Sequence, residues 1–418
     1  MDKIALVLFF AVIILAFTRK VNAGILSFAI GMIAVRMFGM TDKDILNGIS
    51  GSMFSTLVSI NLLFAIVSST GALELLARKI VALSGKKSWI LPIAVYVASF
   101  VISAMTGAIP ALAIIPALAV SVAIESGFHP IMLAMFGACG WSVGRMTPIT
   151  PEGVIISSAA ESAGLEGVMF PIMLCQLFAT IIFCIILYIV FKGYKVKLTD
   201  EYLAELKTNK FTAKQLISLA SVVVMLGLIV FAKINIGIAA FVIVALLLLF
   251  NFADEKALFK AMPWGTIVLV LGVGALLDIV NTVGGLDLVS NALSNMMTKN
   301  TAAPIMGICA GLLSLVSSST GVVYPTMMPM CAEIAATVGT INPVALMAAV
   351  GLGSSMSGVS PMSVAGALML SAMANSEKYS GEKEQRKAFV LLIAIAVISL
   401  VAVAAVAVFF NGIVNLVY

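Results

Sequence analysis

Displaced by 213 positions, the chain falls into register with itself without a gap. Val21-Asn22-Ala23-Gly24-Ile25 meets Ile234-Asn235-Ile236-Gly237-Ile238, and Gly71-Ala72-Leu73-Glu74-Leu75 meets Gly284-Gly285-Leu286-Asp287-Leu288. Punctuating residues align as well: Pro116, Pro130, Gly140, Ser142 and Pro148 fall on Pro329, Pro343, Gly353, Ser355 and Pro361. Two copies of one plan restrict the chain to topologies that a single repeated unit can build.

The solvent of that unit follows from composition. The chain is 62% hydrophobic and only 10% charged, with a mean hydropathy of +1.17. Soluble domains carry about 25% charged residues, so this chain is expected to be an all-α polytopic membrane protein facing lipid. Apolar stretches of roughly 16 to 25 residues recur throughout, each able to cross a hydrocarbon layer about 30 Å thick. The longest polar stretch, Lys192–Lys214, is too short to fold alone. In a chain this apolar, a two-fold internal repeat marks a transporter whose site lies between the halves.

The net charge of +5 does not point to nucleic acid, because the basic residues sit in short loops beside the spans and report orientation. Cys139, Cys175, Cys184, Cys309 and Cys331 lie in apolar segments without metal spacing and read as packing residues. His129 is the one histidine and makes neither a metal site nor a triad by itself. Residues 2–18 have Lys3 as their only preceding basic side chain and no small-residue cleavage site, and read as a retained span.

In the first half, spans are expected at about 3–18, 22–38, 54–77 and 168–191, with an interrupted span at 130–164. The segment 88–126 holds about 39 residues, enough for two crossings of about 20 each, and is broken by Thr106-Gly107-Ala108-Ile109-Pro110. It is one tilted span, two full spans or a re-entrant hairpin. Charge removes the first. With the hairpin each half crosses five times, and of the 24 basic residues 18 then lie on the linker side, 5 opposite, and Arg145 at membrane depth. A single crossing would divide them 11 against 12, which the bias of cytoplasmic loops toward Lys and Arg rejects. Charge does not separate hairpin from two full spans; the Gly and Pro at the turn favour the hairpin. The expected plan is two inverted five-span repeats, each with a re-entrant hairpin and a broken helix. Residues 1–192 form the first, with its hairpin at 88–126 and broken span at 130–164. A cytoplasmic linker follows at 193–213, and 214–418 form the second, with its hairpin at 301–339 and broken span at 343–375.

Candidate chemistry sits where the helices break. The hairpin tips are Ala104-Met105-Thr106-Gly107 and Ser317-Ser318-Ser319-Thr320-Gly321. The breaks run from Gly140 through Ser142 and Arg145 to Thr147-Pro148, and from Gly353 through Ser355 to Ser360-Pro361. Unwound backbone at membrane depth is tolerated where it is buried or lines a cavity. Its carbonyls and hydroxyls suit a small cation, and the helices that restart beyond it point positive dipole ends at an anion. Thr106, Gly107, Arg145, Thr147, Pro148, Ser319, Thr320, Gly321, Ser360 and Pro361 are therefore the candidate substrate contacts. Thr106, Gly140, Ser142, Ser319, Thr320, Gly353 and Ser355 are the candidate cation ligands. The bland alternative is that these small residues only let helices pack closely.

Arg145 either forks onto a substrate carboxylate, pairs with Glu152 or reaches interfacial water. Asp278, whose counterpart is Ala65, is a second intramembrane charge and a candidate proton site. Glu74 and Asp287 read as helix-end carboxylates facing solvent, and Asn22 and Asn235 as N-caps. Asn61, Ser59 and Ser68-Ser69-Thr70 form a polar stripe expected to bond a neighbouring helix.

From Val21-Asn22-Ala23-Gly24 through Leu62-Leu63-Phe64-Ala65-Ile66, Thr70-Gly71-Ala72-Leu73, Gly107-Ala108-Ile109-Pro110-Ala111 and His129-Pro130, the chain resembles the N-terminal region of MatC-type malonate/dicarboxylate carriers. The paired hairpins and breaks resemble the ion transporter superfamily, which includes the divalent anion–sodium symporters. The first resemblance covers roughly residues 1–165, the second the whole chain. They imply an inner-membrane, multi-pass, dimeric carrier of small carboxylate anions whose transport domain moves like an elevator against a scaffold. In the symporters Ser-Asn-Thr at each tip binds sodium and a carboxylate. Met105-Thr106-Gly107 and Ser318-Ser319-Thr320 lack the asparagine but keep hydroxyls at Thr106, Ser319 and Thr320.

The reading is a secondary transporter of a small dicarboxylate, malonate or a C4 acid, driven by sodium or protons. It needs no cofactor beyond possible sodium ions; its partners are the anion, membrane lipid and a second copy, not nucleic acid. Rivals are a cation/proton antiporter using Asp278 and the membrane subunit of a binding-protein-dependent carboxylate carrier. A membrane enzyme ranks last, since neither a metal cluster nor a nucleophile–base pair is present, and the absence of a Gly-rich lysine loop argues against an ATP-driven pump. Both termini are expected outside the cytoplasm. Reporter fusions at residue 418 and within the linker should show opposite sides, and a cytoplasmic C-terminus would contradict the inverted arrangement.

Overall fold

The computed structural model describes residues 1–418 apart from Lys20, 199–209, Asn295, Ser317, Ser318, Met362 and Glu377, and apart from the side chains of Phe17, Leu286, Asp287, Val289, Leu293 and Val316. Ser317 and Ser318 of the second tip, most of the linker and the Asp287 carboxylate lie outside the described residues.

Among the described residues the fold is helical, without strands. The first half comprises α1 (Asp2–Arg19), α2 (Ala23–Met37), α3 (Asp42–Asn47), α4 (Gly51–Ser69), α5 (Ala72–Ala82), α6 (Ile90–Thr106), α7 (Ala108–Ser126), α8 (Pro130–Gly144), α9 (Pro151–Ser162) and α10 (Met169–Val190). The second comprises α11 (Ala213–Ala232), α12 (Ile236–Leu249), α13 (Glu255–Ala261), α14 (Trp264–Thr282), α15 (Gly285–Ser294), α16 (Ala302–Val316), a π-helical turn at Ser319–Val323, α17 (Tyr324–Val338), α18 (Pro343–Ser357), α19 (Val364–Ala374) and α20 (Glu382–Ala407). A short α21 (Phe410–Val417) follows. Helices α12, α13, α14, α15, α18, α19 and α20 each begin 213 residues after α2, α3, α4, α5, α8, α9 and α10.

Local chemistry sets these boundaries. The Asn22 and Asn235 side chains accept the first free N–H groups of α2 and α12, and Asn22 also donates to the Gly265 carbonyl at 2.7 Å, tying the halves together. Pro130, Pro151 and Pro343 stand at the first turns of α8, α9 and α18, where a missing N–H costs nothing. The expected span at 54–77 is instead two helices. Gly71 adopts φ +70°, a left-handed conformation that ends α4 at Ser69 and turns the chain into α5. Helix α5 is amphipathic: Leu73, Ala77 and Val81 are buried, whereas Glu74 and Arg78 form an exposed pair at 3.3 Å.

The halves interlock through reciprocal contacts. Helix α2 packs on α14 as α12 packs on α4, and α7 meets α19 as α17 meets α9. Within each half the first hairpin helix crosses the helix that later breaks, α6 on α8 and α16 on α18. Glycines make those crossings close. A Cβ on Gly140 would lie 2.1 Å from the Tyr96 carbonyl oxygen, and one on Gly353 would lie 1.9 Å from that of Gly307. By length and composition, six helical stretches among the described residues suffice to cross a membrane. The shorter apolar helices include α8 and α18, each completed beyond its break by α9 or α19.

Gly353→Ala should therefore force α16 and α18 apart and cost about 1–3 kcal/mol, seen as a lowered melting temperature in detergent. Gly227→Ala, whose Cβ would meet only Phe231 at 4.0 Å, should leave stability unchanged or raise it slightly. Equal melting temperatures for the two variants would contradict this packing.

Candidate functional site

Each break is held open by one returning hydroxyl. Thr150, the N-cap of α9, accepts from Gly153 N–H at 3.0 Å and donates to the carbonyls of Arg145 (2.6 Å) and Thr147 (2.9 Å). Ser363 repeats this before α19: it accepts from Gly366 N–H at 3.3 Å and donates to the carbonyls of Gly358 and Ser360. Carbonyls released by unwinding thus find internal partners, as a membrane interior requires. Thr147 also donates to the Ala104 carbonyl at 2.8 Å, fastening the first break to the first hairpin.

The hairpin tips solve the same turn differently. At the first, Gly107 takes φ +75° between α6 and α7, which a residue with a Cβ resists. Its counterpart 213 positions on is Thr320, whose β-branch disfavours that conformation. There the chain widens into the π-helical turn at Ser319–Val323, an insertion frequent at functional sites.

Arg145 follows α8 and is 2% exposed. One terminal nitrogen donates to the Tyr324 hydroxyl at 2.6 Å and to Ser355 Oγ at 2.5 Å, both in the second half. The guanidinium also lies over the rings of Trp141 (5.0 Å) and Tyr324 (5.4 Å), cation–π contacts that offset desolvation. Its Nε and the Trp141 Nε1 are buried without protein partners. Among the ion pairs of the described residues none includes Arg145. The pair with Glu152, one of the roles expected for Arg145, is not formed.

Glu152, in the first turn of α9, is 1% exposed. Its carboxylate accepts from the Ala108 N–H at 3.2 and 3.4 Å, and Oε1 accepts from the Thr320 hydroxyl at 3.2 Å. One side chain therefore touches both hairpin tips. The counterpart positions of Arg145 and Glu152 are Gly358 and Ala365, so both buried charges come from the first break.

Three spaces adjoin along this seam. A cavity of about 1040 Å³ is walled by Trp141, Arg145, Ser319, Thr320, Ser354 and Gly358, among others. A space of about 20 Å³ lies between Thr106, Glu152, Asn61 and Thr320 and shares Ala108, Ile109, Thr266 and Thr320 with the cavity. It also shares Ile155 and Val270 with a pocket of about 380 Å³ that holds Asp278, Asn47, Ser158 and Asn281. Asp278 is exposed in that pocket, not sealed among helices as its place in a span suggested, because Gly274 nearby leaves open room.

Of the expected contacts, Arg145, Ser319 and Thr320 share the cavity wall, and Thr106 and Thr320 share the space beside Glu152. Gly107 forms the first tip and Gly321 lies in the π turn over Leu269. Thr147, Pro148, Ser360 and Pro361 shape the breaks; from the second break and the cap beyond it, Ser354, Gly358 and Ser363 reach the cavity. Among expected cation ligands, Gly140 and Gly353 are helix crossings, and Ser142 Oγ donates to the Cys139 carbonyl at 2.8 Å. Ser355 Oγ donates to the Gly351 carbonyl at 2.6 Å while accepting from Arg145, and Thr106 Oγ1 donates to the Ile102 carbonyl at 2.9 Å. Of the expected polar stripe, Thr70 meets Ser218 of α11 at 3.2 Å, whereas Asn61 bonds within its own helix, to the Leu57 carbonyl. Sequence reasoning missed Tyr324, Ser354 and the reach of Glu152 to both tips. A search for the acceptor that a buried arginine requires could have singled out Tyr324, the one tyrosine in the second hairpin.

Tyr324→Phe would keep the ring contacts of Arg145 but leave Ser355 as its remaining side-chain hydrogen-bond acceptor among the described residues. Hydrogen bonds to charged groups are worth about 1.5–3 kcal/mol, so the melting temperature should fall. A stability equal to the parent's would mean that Arg145 does not depend on the phenol.

None of the curated proteins compared with this sequence matches it at a significant level. Among solved structures, the chain is similar to the YdaH transporter of Alcanivorax borkumensis, whose crystal structure is described as revealing an unusual topology. The TM-score is 0.59 at 14% identity, over 88% of this chain and 87% of that one. That likeness shows the fold. The family described as citrate transporter, CitMHS, matches residues 12–351, more than half of the sequence. The chain therefore belongs to the citrate transporter family of the ion transporter superfamily and is a multi-pass membrane secondary transporter, not an enzyme.

Proposed function

We propose that this transporter carries small carboxylate anions across the inner membrane, with malonate and C4 dicarboxylates as the substrate class. The observation that carries the reading is Arg145: a buried guanidinium on the wall of a cavity of about 1040 Å³, positioned by neutral hydroxyls and without an ion-pair carboxylate among the described residues. Tyr324 and Ser355 occupy one terminal nitrogen, and the unpartnered Nε and Trp141 Nε1 remain to receive an anion. The cavity also includes Ser363 and Val364, at the N-terminal end of α19, where the helix dipole favours negative charge. Citrate, named in the family description, has the same chemistry with one more carboxylate.

The mechanism is alternating access between two inverted five-crossing repeats. Hairpins and broken helices move as an elevator against the remaining helices in a homodimer, and a sodium or proton gradient drives uptake. The linker lies in the cytoplasm. A cation/proton antiporter centred on Asp278 accounts for the pocket of about 380 Å³ but gives Arg145 no task.

Purified protein should bind malonate or succinate, measured by thermal shift and titration calorimetry. Arg145→Lys keeps the charge but cannot reproduce the planar fork. It should lose about 2–5 kcal/mol of affinity, more for a dicarboxylate than for its monoamide. A stable Arg145→Lys protein that binds normally would remove Arg145 from the site.

A further inference from the structure

We infer that Glu152 is the residue that takes up a proton when a carboxylate anion binds beside Arg145. The inference rests on the carboxylate reading above and adds its coupling site. Glu152 is buried, bridges the two hairpin tips through Ala108 N–H and the Thr320 hydroxyl, and has no ion-pair partner among the described residues. It stands one hydroxyl from the cavity, because Thr320 lines both the cavity and the small space that Glu152 walls.

The charged surroundings are sparse. Helix α4, which packs on α9, carries no titratable side chain, and α10 offers only Cys175, Cys184 and Tyr188. Helix α17 contributes Tyr324, Cys331 and Glu333, and α9 itself ends with Glu161. Helix α7 adds Glu125 at its far end, and α14 adds Asp278 in the pocket beyond Ile155 and Val270. Arg145, which follows α8 seven residues before Glu152, is the cation of the same break.

Occupation of the site changes that field. A substrate carboxylate on Arg145 neutralises the cation of that break, and it places a second anion on the same seam. A buried carboxylate that loses a cation and gains an anionic neighbour binds a proton more tightly. Linkage makes the effect reciprocal: a protonated Glu152 favours the anion, and the bound anion favours the proton. The bonding accommodates both states, since a protonated Oε1 can donate to Thr320 Oγ1 while Ala108 N–H still donates to the other oxygen. The adjoining space of about 20 Å³ has room for about one water beside the carboxylate. Ala365 stands at the equivalent place in the second half, so the fold builds one such site per chain.

The test uses the purified full chain with malonate and with succinate as probes, over a pH range where both are fully ionised. Proton uptake is followed with an indicator dye in weak buffer, with and without sodium. The parent protein should take up about one proton per anion bound, and affinity should fall about tenfold per pH unit over the range where the free site has lost its proton and the liganded site keeps it. Glu152→Gln, which mimics the protonated state, should bind both probes independently of pH and take up no proton. Should that variant not fold, infrared difference spectra of the parent carry the test: adding malonate should produce the carbonyl band of a protonated carboxylic acid. Binding without proton uptake, binding that requires sodium, or a Glu152→Gln protein that keeps the pH dependence would overturn the assignment while leaving the carboxylate reading intact. Failure of both probes to bind at any pH would overturn both.

Discussion

A helix that stops inside a membrane strands its carbonyls and amides where no water can reach them, and each unsatisfied group costs several kcal/mol. The arrangement of the breaks answers that constraint. Thr150 and Ser363 serve as N-caps of the restarted helices while closing back onto the carbonyls of Arg145 and Gly358. Neighbouring hydroxyls extend the repair: Thr147 reaches the Ala104 carbonyl, and Ser314 and Ser319 reach that of Ser354. With the backbone satisfied from within, the restarted helices keep their N-terminal ends directed at the seam between the halves.

On this nearly symmetric frame the charge is one-sided. Arg145 and Glu152 both come from the first break, whereas Gly358 and Ala365 stand in the second. The second half supplies neutral hydroxyls instead: Tyr324 and Ser355 fix the guanidinium, and Thr320 meets the carboxylate. Each buried charge of one repeat is thus held by polar groups of the other. Any movement that separates the repeats at this seam must exchange those partners.

How much of this was legible in the sequence depends on the distance between partners. Helix limits set by Pro130, Pro151, Asn22 and Asn235 are local chemistry, and the interruptions near Gly107 and Arg145 follow from Gly and Pro in apolar runs. The division of 54–77 at Gly71 was harder, because apolarity continues across the turn and only the left-handed glycine ends the helix. The partners of Arg145 lie 179 and 210 residues away, beyond any local pattern. The π turn was hidden because it arises from what Thr320 cannot do, namely adopt the positive φ of Gly107. The openness of the Asp278 pocket depends on small residues across a helix interface and could not be read from α14 alone.

The anion is proposed to sit in the large cavity, between Arg145 and Thr320. Bromosuccinate bound in a crystal of the protein, with data collected at the bromine absorption edge, locates the ligand without reference to any assumed pose. The anomalous peak should lie inside the cavity of about 1040 Å³, within contact of Arg145 and Thr320. A peak in the pocket around Asp278, with the Arg145 cavity holding none, would contradict it.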